Sequence, residues 1–261
     1  MANFYKPHPR CFKQLIMKSL FVYFLIPLLA VCCNPARSGS GAELEFIRVV
    51  GTEIPDLSGI ALSPMGSSFF VVSDSKSKVY EIAANGIIIR ESEGLNADLE
   101  GITFDQDGNI LVVDEVNYKV IKLDASLEVI DSFSIDYDNG IPNSGLEGIS
   151  CDVSTGTCYL LNEKQPGELF VCNSRFEIEK KIRLDFAKDF SGVFYDPVCE
   201  CLWITSDENK KLFQCSTEGK VMDELPLDVA KAEGAVVNSK TGAVHVVCDR
   251  TGKLYTYTMV M

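Results

Sequence analysis

The chain has 261 residues with 24 Lys and Arg against 37 Asp and Glu, a formal net charge of −13. The first 33 residues carry Lys6, Arg10, Lys13 and Lys18 and no acid, so the rest holds 20 basic residues against 37 acids, −17. A body this acidic repels phosphate backbones and excludes nucleic-acid binding through a basic footprint. Two histidines, His8 and His245, leave little room for His-rich zinc sites, and 46% apolar residues exclude a disordered chain.

Lys13 and Lys18 precede an apolar run, Leu20–Cys33. A membrane-spanning helix needs roughly 20 apolar residues, so this run reads as the core of a bacterial-type export signal. Met17-Lys18 offers a second start for a compact signal. The run ends in Leu29-Ala30-Val31-Cys32-Cys33-Asn34, similar to a lipobox, in which a cysteine is acylated and becomes the mature N-terminus. Val31 or Cys32 stands where a lipobox has a small residue, so an ordinary cleaved signal is the other reading. Residues 34–42 are polar and rich in Ser and Gly, suited to a flexible tether. These segments predict a lipid-anchored protein of the bacterial envelope, periplasmic or at the outer membrane, touching membrane through the anchor only.

From residue 43 a repeat organises the chain. Five glycines, Gly59, Gly101, Gly148, Gly192 and Gly234, follow one another at spacings of 42, 47, 44 and 42. A period in the forties without helical patterning points to a propeller, one sheet per repeat. An acid follows each glycine by 15 residues (14 in the second repeat): Asp74, Glu115, Glu163, Asp207 and Asp249. Each acid ends an apolar, β-branched run such as Phe69-Phe70-Val71-Val72 or Val244-His245-Val246-Val247, the pattern of a buried strand. Asp107-Gly108, Thr155-Gly156 and Thr241-Gly242 supply turns between first and second strands, Asn85-Gly86 and Glu218-Gly219 between third and fourth. The fifth repeat has only three strands, and Glu43–Val50 is an orphan strand before the first. The prediction is an all-β, five-bladed propeller of four-stranded antiparallel blades over 43–261, closed by the N-terminal strand.

Just before the repeated glycines stand Ser58, Glu100, Glu147, Ser191 and Glu233. Innermost strands of a propeller line its axis, so Glu100, Glu147 and Glu233 would converge there and need protons or a cation. Oxygen donors without His or thiolate suit a hard ion, and Ca2+ is the expected cofactor. The alternative is that these glutamates point outward or pair with Lys231 and backbone amides. The strand-end acids Asp74, Glu115, Glu163, Asp207 and Asp249 either form a negative binding rim or, as their recurrence favours, fix the turn that follows them. His245 falls in register with Phe70, Leu111, Tyr159 and Trp203, a packing position rather than that of a catalytic base. Asn162-Glu163 places one amide beside an acid. Cys151 and Cys158 flank the Thr155-Gly156 turn and are expected to form a cross-hairpin disulfide, whereas Cys172 and Cys215 sit in neighbouring blades, too far apart to bond.

The motifs Asp56-Leu57-Ser58-Gly59-Ile60, Asp98-Leu99-Glu100-Gly101-Ile102 and Gly145-Leu146-Glu147-Gly148-Ile149 resemble those of the SdiA-regulated family of bacterial envelope proteins, over roughly residues 44–261. The resemblance implies an exported propeller with calcium near the leucine-glutamate-glycine carboxylates, Glu100 and Glu147 foremost and Glu233 after them. Ser58 and Ser191 depart from the glutamate. A fainter similarity to metal-dependent lactonase propellers implies, as the alternative, a hydrolase of lactones or phosphoesters. The leading expectation is a binding or scaffolding module without a catalytic set, its partner an envelope protein or a small ligand.

Overall fold

The computed structural model describes residues 41–137, 145–164 and 166–260. The predicted export signal, Cys32 and Cys33 therefore lie outside the described residues. Strand β1 (Glu43–Gly51) precedes four complete sheets. Blade 1 holds β2 (Leu57–Leu62), β3 (Ser68–Ser73), β4 (Lys78–Ala83) and β5 (Ile88–Glu91). Blade 2 holds β6 (Leu99–Phe104), β7 (Ile110–Asp114), β8 (Lys119–Leu123) and β9 (Val129–Ser134). Blade 3 holds β10 (Leu146–Asp152), β11 (Thr157–Asn162), β12 (Glu168–Cys172) and β13 (Ile178–Arg183). Blade 4 holds β14 (Gly192–Asp196), β15 (Cys201–Ser206), β16 (Lys211–Ser216) and β17 (Val221–Pro226). In blade 5, β18 (Ala232–Asn238), β19 (Ala243–Cys248) and β20 (Lys253–Val260) are completed by β1, antiparallel to β20 from Glu43↔Val260 to Gly51↔Lys253. The N-terminal strand thus closes the ring and removes an open sheet edge beside the last blade.

The core is divided among the five junctions between blades. Second strands are buried on both faces, which is why their sequences read as unbroken apolar runs. In β3, Phe70 and Val72 pack toward blade 2 while Phe69 and Val71 pack toward blade 5. At the junction of blades 4 and 5, Trp203 and Leu212 meet Val244, Val246 and Tyr257.

The repeated glycines are the contact points of the inner strands. A Cβ on Gly59 would stand 2.3 Å from the Glu100 carbonyl oxygen, one on Gly101 2.6 Å from the Ile149 nitrogen, and one on Gly192 2.6 Å from the Glu233 carbonyl oxygen. Only glycine lets the five inner strands approach the axis this closely.

Candidate functional site: the acidic mouth of the channel

In blades 1, 2, 3 and 5 the first strand shifts register at the residue before the glycine, between Leu57 and Gly59, Leu99 and Ile102, Leu146 and Gly148, and Ala232 and Gly234. A bulge leaves its extra residue out of the ladder and re-aims its side chain. The re-aimed residues are Ser58, Glu100, Glu147 and Glu233. Blade 4 has no such shift, and its Ser191 donates its hydroxyl to the Ala232 carbonyl of blade 5 at 2.7 Å. One serine of the expected ring is thus a tie between blades.

Below these residues the axis narrows to a cavity of about 10 Å³, about the room one water needs, lined by Ser58, Glu147, Glu233 and the glycine backbones. Ile60, Ile102, Ile149, Val193 and Ala235 close it with a buried apolar layer. The carboxylates therefore sit over an apolar floor.

The strand-end acids stand at the same mouth, because second strands end where first strands begin. Backbone bonds lock them there: the amides of Asp74, Glu115, Glu163 and Asp249 donate to the carbonyls of Asp56, Asp98, Gly145 and Lys231, 2.9–3.2 Å. Several side chains then reach the following blade. Glu115 Oε1 accepts the Gly145 amide at 3.1 Å and Asp207 Oδ1 the Lys231 amide at 2.6 Å. Asp74 hydrogen-bonds Asp98, and Asp249 hydrogen-bonds Asp56. Glu163 instead takes Lys164 Nζ at 2.5 Å. These acids stitch blade to blade while adding charge to the mouth.

That charge is poorly compensated. Burial, reinforced by Glu115, Asp98, Glu233 and Asp74, holds Glu100 well above the usual carboxylate range. Burial does the same to Glu147, reinforced by Glu100, Glu115, Glu163 and Glu233. Glu233 is pushed up to about 7, chiefly by burial, although Lys231 opposes the rise with Nζ 4.0 Å from its Oε1. The hydrogen bond to Asp98, then burial, raises Asp74 to about 6. Carboxylates from all five blades feel one another here, so the two acid rings read from the sequence are one site.

Within it, oxygens of Asp74, Asp98 and Glu100 all lie within 4.8 Å of one another. An all-carboxylate donor set suits a hard divalent ion such as Ca2+ or Mg2+. The expected trio was Glu100, Glu147 and Glu233. Only Glu100 belongs to the converging group, while Glu147 and Glu233 line the axial cavity with Ser58. The reason is geometric: the three glutamates project from blades 2, 3 and 5 around the axis, whereas Asp74 crosses one blade junction to meet Asp98 and Glu100. Asp98 was the residue to find. Its signal is Asp56, Asp98 and Asp189, each three residues before a repeated glycine.

The other candidates lie elsewhere. His245 is partly buried between blades 5 and 1, its ring 4.7 Å from Phe69 and its Nδ1 3.1 Å from Thr256 Oγ1. Burial lowers its pKa to about 4. Asn162 spends its amide nitrogen on the carbonyls of Lys164 and Pro166. Cys151 and Cys158 form a disulfide across the hairpin, and a second, unforeseen one joins Cys199 to Cys201. Cys172, Cys215 and Cys248 are free and buried.

Among solved structures, the chain is similar to selenomethionine-substituted virginiamycin B lyase from Staphylococcus aureus, at 17% identity and TM-score 0.50 over 78% of this chain. It spans 66%, just under two thirds, of that lyase. A catalytically inactive variant of the same enzyme with quinupristin matches at 17% identity and TM-score 0.49, covering 78% of this chain and 66% of that one. A protein of unknown function from Bacteroides caccae matches at 10% and 0.49, covering 69% and 64%. Likeness at these identities shows the propeller fold alone. The SdiA-regulated family profile matches residues 41–185 and 170–260, and the chain belongs to that family.

Proposed function

We propose that this propeller is an exported, lipid-tethered binding module of the bacterial envelope whose acidic mouth holds a hard divalent cation, Ca2+ by preference. The observation that carries the cation is the convergence of Asp74, Asp98 and Glu100 beside Glu147 and Glu233, the buried glutamates of the axial cavity. When bound, the ion would supply a fixed positive centre that neutralises the mouth and attracts anionic or carbonyl groups of a partner. The chain's own residues do the rest: Glu115 and Asp207 hold neighbouring blades in register, and the apolar layer below excludes water. Export and tethering rest on the basic residues before Leu20–Cys33 and on the polar stretch that follows.

The test is calorimetric titration of chelator-treated protein with CaCl2, beside Asp98→Asn/Glu100→Gln. The wild type is expected to bind and to melt higher with calcium, and the double variant to do neither. No heat and no melting shift at millimolar calcium refutes the cation. Metabolic labelling with palmitate, lost in Cys32→Ser/Cys33→Ser, tests the tether separately.

A further inference from the structure

The opposite end of the channel differs in kind. Past the apolar layer, the inner strands of blades 1 to 4 open into a funnel of about 350 Å³ walled by Leu62, Phe104, Ile149, Val193, Phe194 and Tyr195. Its floor, made by Ile60, Ile102, Ile149 and Val193, is the layer that closes the acidic cavity from the other side. The funnel falls in the size range of small-molecule sites, roughly 300–1,000 Å³. Hairpin tips of three blades crown this face with exposed apolar side chains, Met65 (88% exposed), Val153 (52%) and Val198 (51%).

The lining also says what would not fit. Its one charged residue, Asp105, is already taken by Lys122 Nζ at 2.7 Å and by Asn109. A charged ligand would find no counter-charge, and burying it would be costly. The wall strands β2, β6, β10 and β14 are the inner edges of their sheets and pair on one side only. One buried donor is left over. Ser150, 3% exposed, accepts the Tyr195 amide at 2.8 Å, and its own proton has no acceptor among the described residues. The Tyr195 hydroxyl is engaged with Asp152 and does not compete.

We infer that this funnel is a binding site for a compact, uncharged, largely apolar molecule with one hydrogen-bond acceptor, of the chemistry of an aryl ketone. The apolar walls take the rings, Ser150 donates to the acceptor, and the closed floor limits the ligand's length.

Benzophenone, an uncharged aryl ketone, tests this on the full chain. On irradiation its ketone carbon bonds to a protein carbon, whose hydrogen moves to the ketone oxygen, and peptide mapping locates the adduct. A saturable adduct is expected on the funnel peptides around Leu62 and Val193–Val198. Leu62→Glu, which sets a carboxylate in the apolar wall, should cut its yield by about tenfold or more. Thr103→Trp, which fills the funnel without adding charge, should do likewise, with thermal melts confirming that both variants fold. Adducts on the funnel peptides no more frequent than on the outer-rim Met222 would overturn the proposal. Funnel yields unchanged in both folded variants would overturn it equally.

Discussion

The folded protein should lose stability as pH rises through neutrality, and Glu233 sets a magnitude. Its carboxyl ordinarily titrates near 4.5, and in the fold burial pushes it to about 7. Between those values the unfolded chain has given up a proton that the folded chain keeps, so raising the pH favours unfolding. The stability tied to this proton is fully present below about pH 4.5 and lost as pH passes about 7. Each pH unit is worth about 1.4 kcal/mol, which puts the Glu233 contribution at about 3 kcal/mol. Glu100 and Glu147, shifted the same way, add to it. Glu81, Asp105 and Asp152 are shifted downward, and their effect belongs to more acidic pH, whereas His245, lowered from 6.5 to about 4 by burial, opposes the decline below about pH 6.5. For a domain of this size about 3 kcal/mol corresponds to a fall of roughly 6–12 °C in melting temperature. The assay is calorimetric melting with chelator from pH 5 to 8, with Glu233→Gln beside the wild type. The variant should show a shallower decline and melt above the wild type at pH 8. A melting temperature that is flat or rising above pH 6.5, or a variant that tracks the wild type, refutes the reasoning.

Two further outcomes follow from packing and cross-links. Gly101→Ala places a methyl 2.6 Å from the Ile149 nitrogen and 2.8 Å from the Gly148 Cα, backbone atoms that cannot yield. It should cost about 3 kcal/mol or more, whereas Gly94→Ala, with nothing within 4 Å, should melt as the wild type does. Cys151→Ala/Cys158→Ala opens a loop of sequence separation 7 and should cost roughly 2–3 kcal/mol in non-reducing melts.

The fold was legible because its determinants recur. A glycine at each axial contact, an apolar run buried on both faces and an acid at its end are imposed on every blade by the same packing problem. The site was legible only as positions. That Glu100 projects from a bulge, and that Asp74 crosses a blade junction to join Asp98, depends on register shifts and on the angle between blades, neither of which periodicity records. Ser191 occupies the same repeat position as Glu100, but without a bulge in β14 its hydroxyl turns to Ala232 instead. The funnel left no motif at all: Leu62, Phe104, Ser150 and Tyr195 look like ordinary strand residues until four blades bring them together. Cys199 and Cys201, two residues apart, lack the hairpin spacing that made Cys151 and Cys158 conspicuous.

The proton and the cation compete for the same oxygens, which makes the proposed calcium site testable beyond mere binding. Burial and the surrounding carboxylates disfavour the charge of Glu100 and strengthen its hold on a proton. A cation held by Asp74, Asp98 and Glu100 needs that oxygen ionised, so binding must expel the proton. Calorimetric titrations with CaCl2 at pH 7, in two buffers of different ionisation enthalpy, should therefore differ through the protons released on binding, and affinity should rise with pH. Glu100→Gln should abolish the buffer difference together with most of the affinity. Binding with no buffer dependence in the wild type would show Glu100 already ionised in the empty mouth, refuting the electrostatics while leaving the cation in place. Absence of binding in either buffer removes the cation and leaves the pH-dependent melting of Glu233 to stand or fall by itself.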